Sequence, residues 1–307
     1  MSSELAFSGN VDGLDKVPEA IRPYMGCPDY VKNIDPHTHG YPSYMPRALE
    51  RQQLDRSILA CDATHAFLYG GAYTPPRADY APGTRPLLEQ IVAAVCKNCR
   101  GDAETAKALV RWRRANVQHI GVCGLGTEEE ILLGGYSMCH DASRTLVILC
   151  QVAGLGARLV IGLNEKLGGG HTLTEICIDG QWAIFDPSPC MPFAFLEQPD
   201  GRLASCWDVH RDPSIPTRCK PEFAAPAAIE RYGTYFADFR LVNYPVTVST
   251  RYLAQRFVRM ITAQKIIQNY DYTGHLNHTA LSAYTDLDQT AAQWVAGTLQ
   301  PTPKRYG

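Results

Sequence analysis

At 307 residues the chain can bury a substantial core, enough for one large domain or two modest ones. Its formal charge of −2, with positive and negative residues interspersed, offers no field for nucleic acid or an anionic membrane. No apolar run approaches the ~20 residues of a membrane span, and the opening MSSELAFSGNVDG lacks the basic and apolar regions of a signal peptide. With 11 cysteines, an odd number, and no export signal, most thiols are expected to be small core residues in a reducing cytoplasm.

Residues 1–84 read as a loop-rich N-terminal segment, heavy in proline, tyrosine and glycine, with 46–60 helix-like within it. Within it, Asp35-Pro36-His37-Thr38-His39 resembles the His-x-His strand of metal-dependent amidohydrolases. Two imidazoles two residues apart share one strand face, as metal binding needs. The chain does not alternate strands and helices as a barrel would, and Pro36 and Gly40-Tyr41-Pro42 interrupt a strand. A plain loop is the expectation, with a pocket-lining histidine or a metal site on His37 and His39 as alternatives.

Helices follow over 85–99 and from about 103 to 118. Cys96-Lys97-Asn98-Cys99 has the spacing of half a zinc site, but no second CxxC or suitable histidine pair follows. Ile91, Val92, Val95 and Cys99 mark a helix face instead, so a core helix is expected. Arg111-Trp112-Arg113-Arg114, the densest basic cluster, falls in the next helix and reads as a solvated face.

The run from Gly135 to Pro187 carries the chemistry. Gly134, Gly135 and Ser137 precede an apolar series, Ala142, Leu146, Leu149, Cys150 and Ala153, which follows one helical face and stops at Gly154 and Gly156. Cys139 therefore falls in a first helical turn, where free backbone N–H groups and the dipole favour a thiolate. Its own N–H could also meet an oxyanion. Downstream, Asp179-Gly180 is a two-residue hairpin signal between ICI and WAIF. That turn pairs Ile178 with Gln181, Cys177 with Trp182 and Leu173 with Asp186. His171 and Asp186 then lie on one sheet face as diagonal neighbours, roughly 7 Å apart in the backbone. A one-residue slip would put them on opposite faces. A thiol, an imidazole and a carboxylate in this order suit a nucleophile, its base and the group that orients the base.

Gly135-Tyr136-Ser137-Met138-Cys139, the Gly-Leu-Gly-Ala-Arg segment at 154–158, His171 and Phe185-Asp186-Pro187-Ser188 together resemble the transglutaminase-like superfamily, related in fold to papain-type thiol enzymes. The resemblance implies Cys139 as nucleophile, His171 as base and Asp186 as orienting acid. It also implies an α+β core, with the cysteine helix packed on an antiparallel sheet that carries the other two. Leu173 stands where many members have an aromatic, and His140 where animal transglutaminases usually have tryptophan. Both differences point away from protein crosslinking and leave the triad intact. His140 diverges from Cys139 by about 100° around the helix, so packing or substrate contact is its expected role.

Residues 85–195 are thus expected to form the core, and 196–307 a mostly helical extension packed on it, including ERYGTYFADFRL. Such flanks can enclose a small-molecule or peptide substrate, with a carrier-bound acyl donor as one option; no cofactor, nucleic acid or membrane is called for. The expected function is acyl transfer through a cysteine thioester, ending in amide formation or amide hydrolysis. Gln118 and Asn116 are candidates for the second oxyanion donor. The alternatives are a metal-dependent hydrolase built on His37 and His39, and a non-catalytic transglutaminase-like interaction protein.

Overall fold

Five strands, β1 (Ser57–Leu59), β4 (Ala157–Asn164), β5 (Gly169–Ile178), β6 (Gln181–Phe185) and β7 (Asp238–Val242), form an antiparallel sheet in the order β1-β7-β4-β5-β6. A short parallel pair, β2 (Gln118–His119) with β3 (Tyr136–Ser137), leads into the cysteine helix. The computed structural model describes residues 17–26, 56–77, 80–119, 128–134, 136–137, 139–164, 169–222 and 226–242. His37, His39 and the tail segments beyond Val242 lie outside these residues. Among the described residues no helix is long and apolar enough to cross a membrane.

The helices are α1 (Asp62–Tyr69), α2 (Pro86–Val95), α3 (Gly101–Asn116), α4 (Glu128–Gly134), α5 (Cys139–Val152), α6 (Cys206–Arg211), α7 (Ile215–Arg218) and α8 (Pro226–Thr234). Strand alternation splits the interior into two cores. Leu159 and Ile176 face α2, α3 and α5, packing on Leu88, Leu109 and Leu149. Their neighbours Val160 and Leu173 face the other way, against Ile58, Leu68, Val209, Tyr232 and Phe236. The fold is α+β, with the cysteine helix on an antiparallel sheet.

The β5–β6 hairpin has the register that its turn dictates. Asp179 and Gly180 both take positive φ, 49° and 83°, as a two-residue type I′ turn requires. Ile178 pairs with Gln181, Cys177 with Trp182 and Thr174 with Phe185. Beyond Phe185 the backbone leaves the ladder, and the Asp186 N–H donates to the Ala194 carbonyl instead.

α5 is buried on nearly every side, from Cys139 through Cys150 with only His140 partly open. Gly154, at φ 87°, stands just beyond its end. A helix so enclosed must find partners for its polar side chains inside the protein. Ser143 Oγ donates to the Thr172 carbonyl at 2.9 Å, and Thr174 Oγ1 donates to the Ser143 carbonyl at 3.2 Å. These two bonds fix the first turns of α5 to β5 immediately beside His171.

Three expectations change. Residues 57–59, expected to end a helix, form the edge strand β1, held by β7 through Ile58 opposite Leu241. Asp62–Tyr69, expected to be irregular, is a helix whose start is closed by Cys61 and Thr64 acting reciprocally. The stretch ERYGTYFADFRL is helical only to Thr234 and then becomes β7, where Phe239 and Leu241, two apart, turn to the same core. The pull there is a vacant sheet edge: β7 fills the place between β1 and β4.

Candidate active site

Cys139 opens α5, and His171 stands on β5 opposite Gly162 of β4. Asp186 follows the last residue of β6. The structure brings the three together: His171 Nε2 and Asp186 Oδ2 are 2.7 Å apart, and the Cys139 thiol is hydrogen-bonded to the same imidazole. Asp186 occupies Nε2, so Nδ1 is the ring nitrogen left for the thiol. The Thr172 backbone N–H also donates to the sulfur. Cys139 is 8% exposed and His171 3%, so these groups interact with little solvent screening.

Burial by itself would push the thiol up, but the bond and charge of His171 and the Thr172 N–H outweigh it and hold Cys139 below the usual thiol range. Burial likewise opposes charge on His171, yet Asp186 raises its pKa well above the ordinary imidazole value. Asp186 is lowered against its burial by His171, the Ser188 N–H and Arg114. The three shifts agree with one another, and together they favour a thiolate beside an imidazolium backed by a carboxylate.

Both oxygens of that carboxylate have partners. Oδ2 accepts from His171 and, at 3.1 Å, from the Tyr232 hydroxyl; Oδ1 accepts from the Ser188 N–H at 2.9 Å. The turn behind it is held by arginine. Arg114 donates to the carbonyls of Asp186, Ser188, Met191 and Phe193, and Arg113 donates to the Pro187 carbonyl and to Ser137 Oγ. Arg113 thus ties the approach to Cys139 to the turn after Asp186. Burial lowers the pKa of its guanidinium while Asp141 and Asp186 favour its charge.

These arginines correct the solvated-face reading of the basic cluster. Arg111 is exposed, but Arg113 is fully buried and the Arg114 side chain is 7% exposed. The irregular chain from Pro187 to Phe193 presents carbonyls to the interior, and buried carbonyls need donors. A guanidinium with its five N–H groups can serve several at once.

His140 is partly buried, its pKa pushed down to about 4 by burial and by Arg144, so its imidazole is neutral near pH 7. One N–H of the Asn116 amide goes to the Trp112 carbonyl at 2.8 Å, and the amide has a second N–H to offer. The Gln118 side chain lies outside the described part. The helix expected over 85–99 ends at Val95, so Cys96 caps α2 and Cys99 lies in the turn beyond it, its thiol donating to the Val95 carbonyl; among the described residues no group of three or more His, Cys, Asp or Glu could hold a metal. Two aromatic residues went unnoticed in the sequence: Tyr232, bonded to Asp186, and Tyr235, whose ring centroid lies 5.4 Å from that of His171. Neither belongs to a motif, and only the fold brings α8 over the sheet.

Comparison with known proteins locates the same region. Residues 89–187 match the family model of the transglutaminase-like superfamily. A comparison with curated proteins finds no match. Among solved structures, the chain is similar to a proposed cysteine protease from Cytophaga hutchinsonii at 20% identity and a TM-score of 0.29, over 37% of this chain and 45% of that one. It is similar to a TGase at 14% identity and a TM-score of 0.31, over 48% of each chain. A proposed protease from Parabacteroides distasonis ATCC 8503 is similar at 11% identity and a TM-score of 0.29, over 36% of this chain and 25% of that one. The chain thus spans less than half the length of these structures. The stretch that matches the transglutaminase-like superfamily, residues 89–187, contains Cys139, His171 and Asp186.

Proposed function

We propose that the protein is a cysteine-dependent enzyme that transfers an acyl group through a thioester on Cys139. The observation that carries this reading is His171, joined on one side to the Cys139 thiol and on the other to Asp186. A buried thiol at a helix N-terminus with an imidazole and an oriented carboxylate is the arrangement that activates a sulfur nucleophile.

The thiolate attacks the carbonyl carbon of an amide, ester or thioester. The carbon–sulfur bond forms as the carbonyl π electrons move to oxygen, and the backbone N–H of Cys139 faces the resulting oxyanion. As the oxyanion collapses, the bond to the leaving group breaks, and His171 gives that group its proton. Asp186 holds the imidazole in one orientation and stabilises its charged form, without itself taking the proton. Water or an amine then attacks the thioester while His171 accepts its proton. Cys139 leaves as thiolate, releasing an acid in the first case and an amide in the second.

The substrate class is a small molecule or peptide carrying such a carbonyl, with a carrier-bound donor as one form of it. The decisive experiment is intact mass spectrometry after mixing the protein with ester, thioester and amide donors, with and without a primary amine. The expected result is an acyl adduct on Cys139, absent from Cys139→Ala, that decays faster when the acceptor is supplied. If no donor marks Cys139 while the Cys139→Ala variant turns donors over equally well, thiol acyl transfer is wrong.

A further inference from the structure

The Asp186 carboxylate is shared. Its Oδ2 accepts from His171 Nε2 at 2.7 Å and from the Tyr232 hydroxyl at 3.1 Å, and the second donor comes from α8, some forty residues beyond the family match. Tyr232 is 1% exposed, with its ring packed edge-on to Phe193 and against Phe236. Its hydroxyl is thus aimed at the carboxylate by packing. The backbone is shaped to let α8 come this close. A Cβ on Gly233 would meet the Pro213 carbonyl oxygen at 2.4 Å. A Cβ on Gly162, the residue opposite His171, would meet the Tyr235 carbonyl oxygen at 2.4 Å. Neither position tolerates a side chain without moving the segment that carries Tyr232.

We infer that Tyr232 is a positioning residue of the catalytic group, a fourth member that fixes Asp186 and limits how strongly it holds the imidazolium. The inference rests on the acyl-transfer reading above. An acceptor oxygen that serves two donors has less negative charge to offer each. Tyr232 therefore weakens the grip of Asp186 on the His171 proton, which the mechanism needs released to the leaving group. It also keeps the carboxylate from rotating away from the ring. The charged and titratable groups around the pair are Cys139 on α5, Arg113 and Arg114 on α3, Cys190 on the loop after β6, Tyr235 just beyond α8, and Tyr232 itself, which Cys206 on α6 faces in turn. Burial and Asp186 raise the tyrosine's pKa well above the ordinary value, so it remains a donor throughout the working range.

Removing the hydroxyl while keeping the ring tests this directly. In Tyr232→Phe, Asp186 serves His171 alone on that oxygen, so the imidazolium should survive to higher pH. Alkylation of Cys139 by iodoacetamide, followed by mass spectrometry across pH, reads the pair without any substrate. The step assigned to loss of the imidazolium proton should move up by about 0.5–1 pH unit, the size expected for one hydrogen bond. Phe236→Leu, which loosens the packing around Tyr232 but keeps its hydroxyl, should lower the melting temperature and leave the profile in place. A Tyr232→Phe profile that overlays the wild type, or a shift equal to that of Phe236→Leu, overturns the inference. If wild-type Cys139 is alkylated no faster than an ordinary thiol, it is the acyl-transfer reading that fails, and the two results cannot be confused.

Discussion

Strand β5 carries two buried ion pairs, and they are built for opposite purposes. Glu175 binds Arg158 through two bonds of 2.9 and 2.7 Å, and also accepts from Tyr69 and from the Cys206 N–H. The Arg158 guanidinium stacks 3.8 Å from the Trp182 ring and donates to the Leu68 carbonyl. Four residues earlier, His171 binds Asp186 under the same conditions of burial, but its remaining ring nitrogen is left for a thiol. In the first pair every strong partner is spent and the cation cannot give up its proton. In the second, the cation is an imidazole, which can. Low dielectric and full hydrogen bonding are common to both; only the second holds a cation that can lose its proton.

The comparison breaks most sharply at the thiol. His171→Ala should return Cys139 to an ordinary buried thiol, with iodoacetamide alkylation at pH 6–7 slowed by at least about tenfold, since the ion-pair partner that lowers its pKa is gone. Cys139→Ala should abolish acyl-enzyme entirely. Arg158→Met should leave the alkylation rate of the folded protein where it was. Mass spectrometry of the alkylated protein reads all three. Equal rates in wild type and His171→Ala would mean that the imidazole does not activate the sulfur.

Next come the two carboxylates. Asp186→Asn keeps the shape but loses the charge behind the imidazolium and disturbs its tautomer, so turnover should fall by about 10²–10⁴ with modest loss of stability. Glu175→Ala leaves Arg158 buried without its counter-charge and should cost about 3–5 kcal/mol in chemical unfolding. Activity per folded molecule should stay near wild type. An Asp186→Asn enzyme with normal turnover would make Asp186 a turn residue, and the two pairs would then be alike.

The pH dependence of stability sharpens the difference further. His171 has a folded-state pKa above its unfolded value of about 6.5, so its contribution is complete below that pH and is lost as pH rises through the raised value. Asp186 is depressed below about 3.9, so its contribution is present above that pH and is lost as pH falls through the lowered value. The pair thus stabilises most between about pH 4 and 6.5. In urea unfolding, the gap between wild type and Asp186→Asn should be widest there and shrink towards alkaline pH. A gap that stays constant from pH 5 to 9 would show that the folded pair is not charged.

How far the sequence reveals these pairs depends on the range of the interactions. The start of α5 and the β5–β6 register are set by local signals, Gly135 to Ser137 before the helix and Asp179-Gly180 at the turn, and both appear where those signals put them. Arg158 and Glu175 face each other directly across β4 and β5, so their pairing was readable once that register was known. Tyr232 and the two arginines of α3 were not. Arg114 serves backbone carbonyls more than seventy residues away, and a carbonyl has no residue type by which to recognise its need for a donor. Arg113-Arg114 looks the same in a sequence whether it faces water or a buried loop. β7 is ambiguous in the sequence because Tyr232 to Phe239 mixes aromatic spacings that fit a helix or a strand, and an open sheet edge decides the matter.

The smallest expected effect concerns the turn that both pairs depend on. Asp179-Gly180 sets a register in which Glu175 lies opposite Ile184 and Asp186 follows directly after the last ladder pair. Gly180 takes φ 83°, and a Cβ there would meet nothing within 4 Å. The cost of Gly180→Ala is therefore backbone strain alone, about 1–2 kcal/mol for an L-residue in the left-handed region, or a few degrees in melting temperature. The register itself should persist, because Trp182, Ile184 and Phe185 are buried and a one-residue slip would turn each of them to the wrong face. Cys139 alkylation and its pH profile should accordingly match the wild type. A shifted profile in Gly180→Ala would mean that the turn, more than the buried side chains, holds Asp186 in place beside His171.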